Sequence, residues 1–249
     1  MRVPACGEYT MSRRRVAPRL SRWPSLRKCV AALALAGSIP AGAGSIAVSP
    51  LRLTFSNATG IVSLTVENRG SEEALVQTEA FAWSQAGGEQ KLAPTEDVVA
   101  VPPVFRLAPG AQQQVRVGLT RAFNDKQEQT FRLLVTEVPT AVTSGAVAVA
   151  VRHSLPIFVL PSSPTSSNLT AKAGAAGGLE IANTGSQHLR IHRWRLRDRA
   201  GAIVAEDSGP GYLLAGASQV IAAGARGGSG PVVLEADTDA RTLKIVVGE

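Results

Sequence analysis

From Ser45 onward, apolar and polar positions alternate in short runs: SIAVSPLRLTF, GIVSLTVENRG, ALVQTEAFAW, QQVRVGLT, TFRLLVTEV and GAVAVAVRHSLPIFV. Successive side chains of a β-strand point to opposite faces, so a period of two reads as a half-buried strand. Val and Thr suit a pleated sheet, and the Asn, Gly and Pro between the runs mark reversals. No segment carries a sustained helical period. The stretch PSSPTSSN, residues 161–168, is polar and proline-bearing, with almost nothing to contribute to a core. Beyond it the pattern resumes in LTAKA, GLEIANTG, LRIHRWRLRD, AIVAE, QVIAA, GPVVLEA and RTLKIVVG. These runs predict an all-β protein of two sandwich domains, residues 44–160 and 169–249, with residues 161–168 as a linker.

The two halves echo one another. Val66-Glu67-Asn68-Arg69-Gly70-Ser71 returns as Ile181-Ala182-Asn183-Thr184-Gly185-Ser186, and Phe105-Arg106-Leu107-Ala108-Pro109-Gly110 returns loosely as Tyr212-Leu213-Leu214-Ala215-Gly216. In each Asn-x-Gly a strand ends on residues that tolerate left-handed backbone. Order and spacing agree as well, which predicts a tandem of similar domains.

GAVAVAVRHSLPIFVLP, residues 145–161, is two-faced. Val147, Val149, Val151, His153, Leu155, Ile157 and Val159 share one side, while Arg152, Ser154, Pro156 and Phe158 share the other. Fully extended, Gly145 to Leu160 would run about 50 Å, longer than a sandwich sheet needs. Part of it should overhang, exposing backbone donors and acceptors with an apolar row attached. Such an edge invites another chain to add a strand.

Charge changes the picture at one end only. Of a formal net charge of +7, all falls in residues 1–43, and residues 44–249 carry equal numbers of basic and acidic side chains. The body therefore projects no long-range basic field, which argues against nucleic acid. RRRVAPRLSRWPSLRK followed by CVAALALAGSIPAGA reads as a basic region and a short apolar segment. Residues 1–43 are thus expected to be a signal peptide cleaved after Ala43 or within a few residues of it, with translation starting at Met1 or Met11. The apolar run is too short for a stable membrane span. Cys6 and Cys29, the two cysteines, both lie in this leader, leaving the exported body without disulfides.

No catalytic constellation emerges, and no cofactor is expected. His153, His188 and His192 fall in no recognisable metal spacing. The basic run from Arg190 to Arg199 places Trp194 and Leu196 opposite Arg193, Arg195, Arg197 and Arg199, which reads as a core strand with a charged outer face. By the same alternation Arg52 lies opposite Leu51, Leu53 and Phe55, and taken alone it reads as a solvent arginine.

Collectively these residues resemble the periplasmic pilus-assembly chaperones of the chaperone–usher pathway. The most specific stretch is Val101 to Gly110, where Pro102, Pro103, Arg106, Leu107, Pro109 and Gly110 match the pattern Pro-Pro-x-x-Arg-Leu-x-Pro-Gly, followed by Val115, Arg116 and Val117. Phe131 to Pro139 resembles the family strand that ends in Glu-Val-Pro, here Glu137, Val138 and Pro139. Ile157-Phe158-Val159-Leu160-Pro161 supplies the Ile-Phe-x-x-Pro ending. The resemblance implies two immunoglobulin-like sandwiches in a boomerang arrangement and a non-enzymatic, periplasmic role. It further implies capture of pilin subunits through a donated strand, carried here by Val147, Val149 and Val151 and extended by Val142 or Leu155.

By the same resemblance, Arg52 matches the cleft arginine that holds the subunit's C-terminal carboxylate. Pro156 stands where a second basic residue is expected, with Arg152 the nearest substitute and His153 beside it. Leu160 replaces an arginine that ties the two domains together. Both departures resemble the branch that assembles spore-coat-protein-like or archaic pili. The implied partners are pilin subunits and an outer-membrane usher, with self-association open to the client-free edge. An exported two-domain adhesin or surface module is the alternative reading of the same fold.

Overall fold

The computed structural model describes residues 46–56, 60–123, 126–139, 150–174, 178–221 and 232–247. The leader expected at residues 1–43 and the valines expected to be donated, Val147 and Val149 with Val142, lie outside them. Among the described residues no helix is long and apolar enough to cross a membrane.

The first half is built from β1 (Ile46–Ser49), β2 (Leu53–Phe55), β3 (Ile61–Asn68), β4 (Ala74–Ala86), β5 (Glu89–Pro94), β6 (Val98–Val101), β7 (Val104–Leu107), β8 (Gln112–Leu119), β9 (Gln129–Val138) and β10 (Arg152–Val159). One sheet runs β1-β3-β8-β6, and the other runs β2-β10-β9-β4-β5 with β7 also paired to β4. Their facing rows meet in one core that includes Phe55, Leu64, Val76, Val117, Leu133, Leu155 and Ile157. Alternation explains most of it: in β3, Leu64 and Val66 are inside while Ile61, Ser63, Thr65 and Glu67 are exposed or partly so.

Two segments that read as a single strand and a motif each cross from one sheet to the other. SPLRLTF does not continue one strand; β1 pairs with β3 in the first sheet and β2 pairs with β10 in the second. The alternation therefore breaks between them, and Leu51, expected on the core face beside Leu53, is 67% exposed. Pro102 and Pro103 make the second crossing, from β6 in the first sheet to β7 in the second. Prolines suit such points because they donate nothing to a ladder. The carbonyl of Pro103 accepts the Thr78 amide at 2.8 Å, tying the crossing to β4. The hairpin β4–β5 turns at Gly87 and Gly88, both at positive φ, and β5 is exposed along its length, so it shows no alternation to read.

The second half contains β11 (Leu169–Ala173), β12 (Leu179–Asn183), β13 (Leu189–Arg197), β14 (Ile203–Leu213), β15 (Ser218–Ile221), β16 (Val232–Thr238) and β17 (Thr242–Val247). A sheet β11-β12-β15 faces a sheet β14-β13-β16-β17. Trp194 and Leu196 are buried as the alternation requires. The arginines opposite them do more than face water: Arg193 pairs with Glu206, Arg195 with Asp237, and Arg197 with Glu235 across the neighbouring strands. Acidic side chains on β14 and β16 thus neutralise the basic row of β13.

The internal echo is a shared hydrogen-bond network. Asn68 is fully buried; its side-chain amide donates to the carbonyls of Glu72 and Leu107, and its Oδ1 accepts the Gly70 amide. Asn183 repeats this with Gln187, Leu213 and Gly185. The backbone follows: Gly110 and Gly216 donate to the carbonyls of Asn68 and Asn183, whose own amides donate to Ala111 and Ala217. Gly110 and Gly216 hold φ of 74° and 73°, where a side chain would be strained. Pro109 and Gly110 therefore form the turn below this asparagine, and Leu107 supplies both a carbonyl and a core side chain. Arg106 lies outside, paired with Glu73 at 2.8 Å.

Residues 161–168, expected to be a linker, are not free chain throughout. Ser166 and Asn168 lie on the Thr184–Gln187 turn, with the Ser186 amide donating to Ser166 and the Thr184 amide to Asn168. A Cβ on Gly185 would sit 2.3 Å from the Ser166 carbonyl, so only glycine admits this approach. Nor does the second core stop at the linker. Trp83 of β4 and Phe158 of β10 belong to it, packed with Tyr212. Phe158 stacks on His188 with ring centroids 3.6 Å apart. Glu128, its side chain buried, accepts from the His188 amide at 2.9 Å and faces His188 Nδ1 at 2.7 Å. Gln85 adds a two-way bridge to the Tyr212 carbonyl and the Leu214 amide. These groups join the halves.

Candidate functional site

The site forms where β10 meets β2. These strands pair in parallel over only Ile157–Val159, opposite Leu53–Phe55, while β9 pairs antiparallel along all of Arg152–Val159. Beyond β2, no strand among the described residues covers the second edge of Arg152–Pro156. Glu137 donates its amide to the Val151 carbonyl at 2.9 Å. Bonded and non-bonded pairs alternate in an antiparallel ladder, so Val151, His153, Leu155 and Ile157 direct their backbone groups to β9. Arg152, Ser154 and Pro156 direct theirs away, toward the uncovered edge. Pro156 therefore costs the β9 ladder nothing, because its missing N–H would have pointed outward.

The side chains divide the same way. Leu155 and Ile157 face the first core and are at most 1% exposed. Val151 is in phase with this row and partly buried. Leu155, expected to extend the donated row, is instead committed to the core of its own domain. His153 Nε2 lies 3.1 Å from the Ile46 carbonyl, which can only accept, so Nε2 carries the proton.

Arg52 follows the first sheet crossing, one position before Leu53, which sets it level with Pro156 along the parallel register. Its side chain is 49% exposed and reaches Asp239 Oδ2 at 3.5 Å. The other carboxylate oxygen of Asp239 meets His192 Nε2. A cleft of about 350 Å³ opens here, lined among others by Arg52, Thr54, Leu160, His188, Arg190 and Asp239.

Arg152 is not drawn to this cleft. It is exposed, donates from Nε to Thr136 Oγ1 at 3.2 Å, and lies four residues up β10 from Pro156, about 13 Å along a strand. The cation level with Pro156 is Arg132, its direct neighbour across the β9 ladder. Arg132 lies over the Trp83 ring at 3.7 Å and its Nη1 reaches the Ser154 carbonyl at 3.4 Å. Partial burial lowers its pKa from the usual arginine value, and the Tyr212 hydroxyl opposes that shift. It stays cationic, because arginine starts far above neutral pH. The sequence signal was an arginine between Phe131 and Leu133 in a central strand, where only the outer face can take it. Asp239 and His192 carry no such signal, since they meet only through the fold.

The motif residues locate as scaffold. Pro102, Pro103, Leu107, Pro109 and Gly110 shape the crossing and turn described above. Glu137 pairs its backbone with Val151, and Pro139 follows the end of β9. No group of three or more His, Cys, Asp or Glu residues among the described residues is arranged to hold a metal ion.

Residues 45–165 match the family model of pili and flagellar-assembly chaperones, PapD N-terminal domain. Over these residues, just under half of the chain, the first domain is that of the pilus-assembly chaperones. This is a family of binding proteins, which agrees with a non-enzymatic site. The Escherichia coli chaperone protein FaeE is 27% identical over 150 residues, covering 60% of this chain and 55% of FaeE. The E. coli chaperone protein ClpE matches at 27% over 54% of its length, so the chain spans about half of the curated relatives it matches.

Solved structures extend the likeness in fold to most of the chain. The CsuC–CsuE chaperone–tip adhesion subunit complex of archaic Csu pili from Acinetobacter baumannii aligns with a TM-score of 0.61 at 17% identity, covering 82% of this chain and 99% of that one. The Salmonella enterica complex of SafA pilin with the SafB chaperone gives 0.59 at 18% identity, covering 82% and 96%. Two immunoglobulin-like β-sandwiches in tandem are thus the fold of this chain.

Proposed function

We propose that this chain is a periplasmic chaperone that captures pilin-like subunits by strand addition and hands them to an outer-membrane usher. The supporting observation is the edge of β10 at Arg152–Pro156, which no strand among the described residues covers, with exposed Arg52 at its end. Backbone donors and acceptors on that edge align an incoming strand. Val147, Val149 and Val151 then fill apolar pockets of the client, each removed from water for roughly 1.5–3 kcal/mol before ordering costs. Arg52 pairs with the client's terminal carboxylate and sets the register. CsuC–CsuE and SafA–SafB are complexes of a chaperone with a subunit of this kind, which supports the reading. Residues 1–43 act as the export leader, and residues 44–160, 161–168 and 169–249 are the first domain, linker and second domain. In the client-free chaperone, the same edge is free to pair with a second copy.

Val149→Asp places a charge in the proposed donated row. Co-expressed with a candidate pilin and recovered from a periplasmic extract, the variant is expected at wild-type yield but without bound pilin. Equal pilin recovery with variant and wild type rejects the donated row and returns the chain to the alternative of an exported surface module.

A further inference from the structure

In the free protein, the cleft already holds a carboxylate beside Arg52, and it is the chain's own. Asp239 follows β16, in the turn to β17, and divides its two oxygens between Arg52 Nη1 and His192 Nε2. We propose that Asp239 is a built-in competitor: it occupies Arg52 until a client's terminal carboxylate displaces it, and so sets how selectively the cleft takes a free chain end. This rests on the reading of Arg52 as the carboxylate anchor.

Three features support a displaceable partner over a structural ion pair. The Arg52–Asp239 contact is long at 3.5 Å, and both side chains are nearly half exposed, so water competes for it. Among the described contacts it is monodentate, leaving the rest of the guanidinium fork for a second carboxylate. His192 holds the other oxygen from β13, so Asp239 need not leave the cleft or lose all its partners when Arg52 turns away. The cleft beside them has room for a chain terminus. A competitor of this strength weakens unspecific anions while a client, which also gains strand pairing and pocket filling, overcomes it. Selectivity comes from the competition as well as from the attraction.

The test uses a synthetic peptide with alternating apolar residues ending in a free carboxylate, and the same peptide with a terminal amide. Binding to the whole chaperone is measured by calorimetry for wild type, Asp239→Asn, Arg52→Ala and the double variant. Asp239→Asn keeps the side chain's shape and removes its charge. It is expected to tighten the acid peptide about two- to fivefold, the range of an exposed ion pair, and to leave the amide peptide unchanged. In the Arg52→Ala background the same substitution should no longer raise the preference for acid over amide. If wild type shows no acid preference, or Arg52→Ala retains it, the anchor reading falls and the competitor falls with it. If Arg52→Ala abolishes the preference but Asp239→Asn matches wild type, the anchor stands and the competitor alone is overturned. Circular dichroism of each variant separates these outcomes from misfolding.

Discussion

Asn68 and Asn183 are each a single buried amide that ends one strand, holds a turn and reaches a neighbouring strand. Replacing either with Ala strands buried carbonyls and an N–H without partners, so each should cost about 3 kcal/mol in urea unfolding. Glu235 is a contrasting case: Arg197 and then Lys244 donate to it and hold its carboxyl below the usual glutamate range, against an opposing push from burial. A depressed folded pKa stabilises above the unfolded value and loses that contribution as pH falls through the folded one. Glu235→Gln should therefore flatten the loss of stability below about pH 4.3 relative to wild type. A parallel acid titration of the two melting curves checks it. The echo of Asn-x-Gly was plain in the sequence, but the pairing of the β13 arginines was not. Alternation reports which face a side chain takes, whereas the acids opposite it lie on strands far along the chain.

Among the elements, β10 does two tasks along one strand. From Leu155 to Val159 it is core on both faces, since Phe158 and Pro156 are buried on the side that alternation alone would leave to solvent. From Arg152 to Pro156 one backbone edge has no strand beside it among the described residues. Ser154 directs its amide to that edge, so Ser154→Pro removes an outward donor and spares every bond to β9. The expected result is a folded protein, melting a few degrees below wild type, with client capture reduced at least tenfold in a pull-down. A loss of fold comparable to a core proline would contradict the assignment of backbone direction. The period of two was enough to find this strand and its two faces. It could not say which backbone groups point to β9, because that depends on how the ladder pairs.

Across the whole molecule, the two sandwiches share a core over the 161–168 segment. Trp83, Phe158, His188 and Tyr212 pack there, with Glu128 against His188. Phe158→Ala should cost about 3–5 kcal/mol and uncouple the halves. Calorimetry should then resolve two unfolding transitions in place of one, and a single unchanged transition would reject the coupling. The sequence by itself determined most of the strands, the tandem and the residues that resemble a pilus chaperone, because period, turn residues and short motifs are local properties. Tertiary structure alone decided that Leu51 is outside and Leu155 is committed inside. It also set Arg132, not Arg152, level with Pro156, and brought Asp239 to Arg52. Each of these depends on which sheet a segment joins and in what register, and those are choices made by packing between segments far apart in the chain.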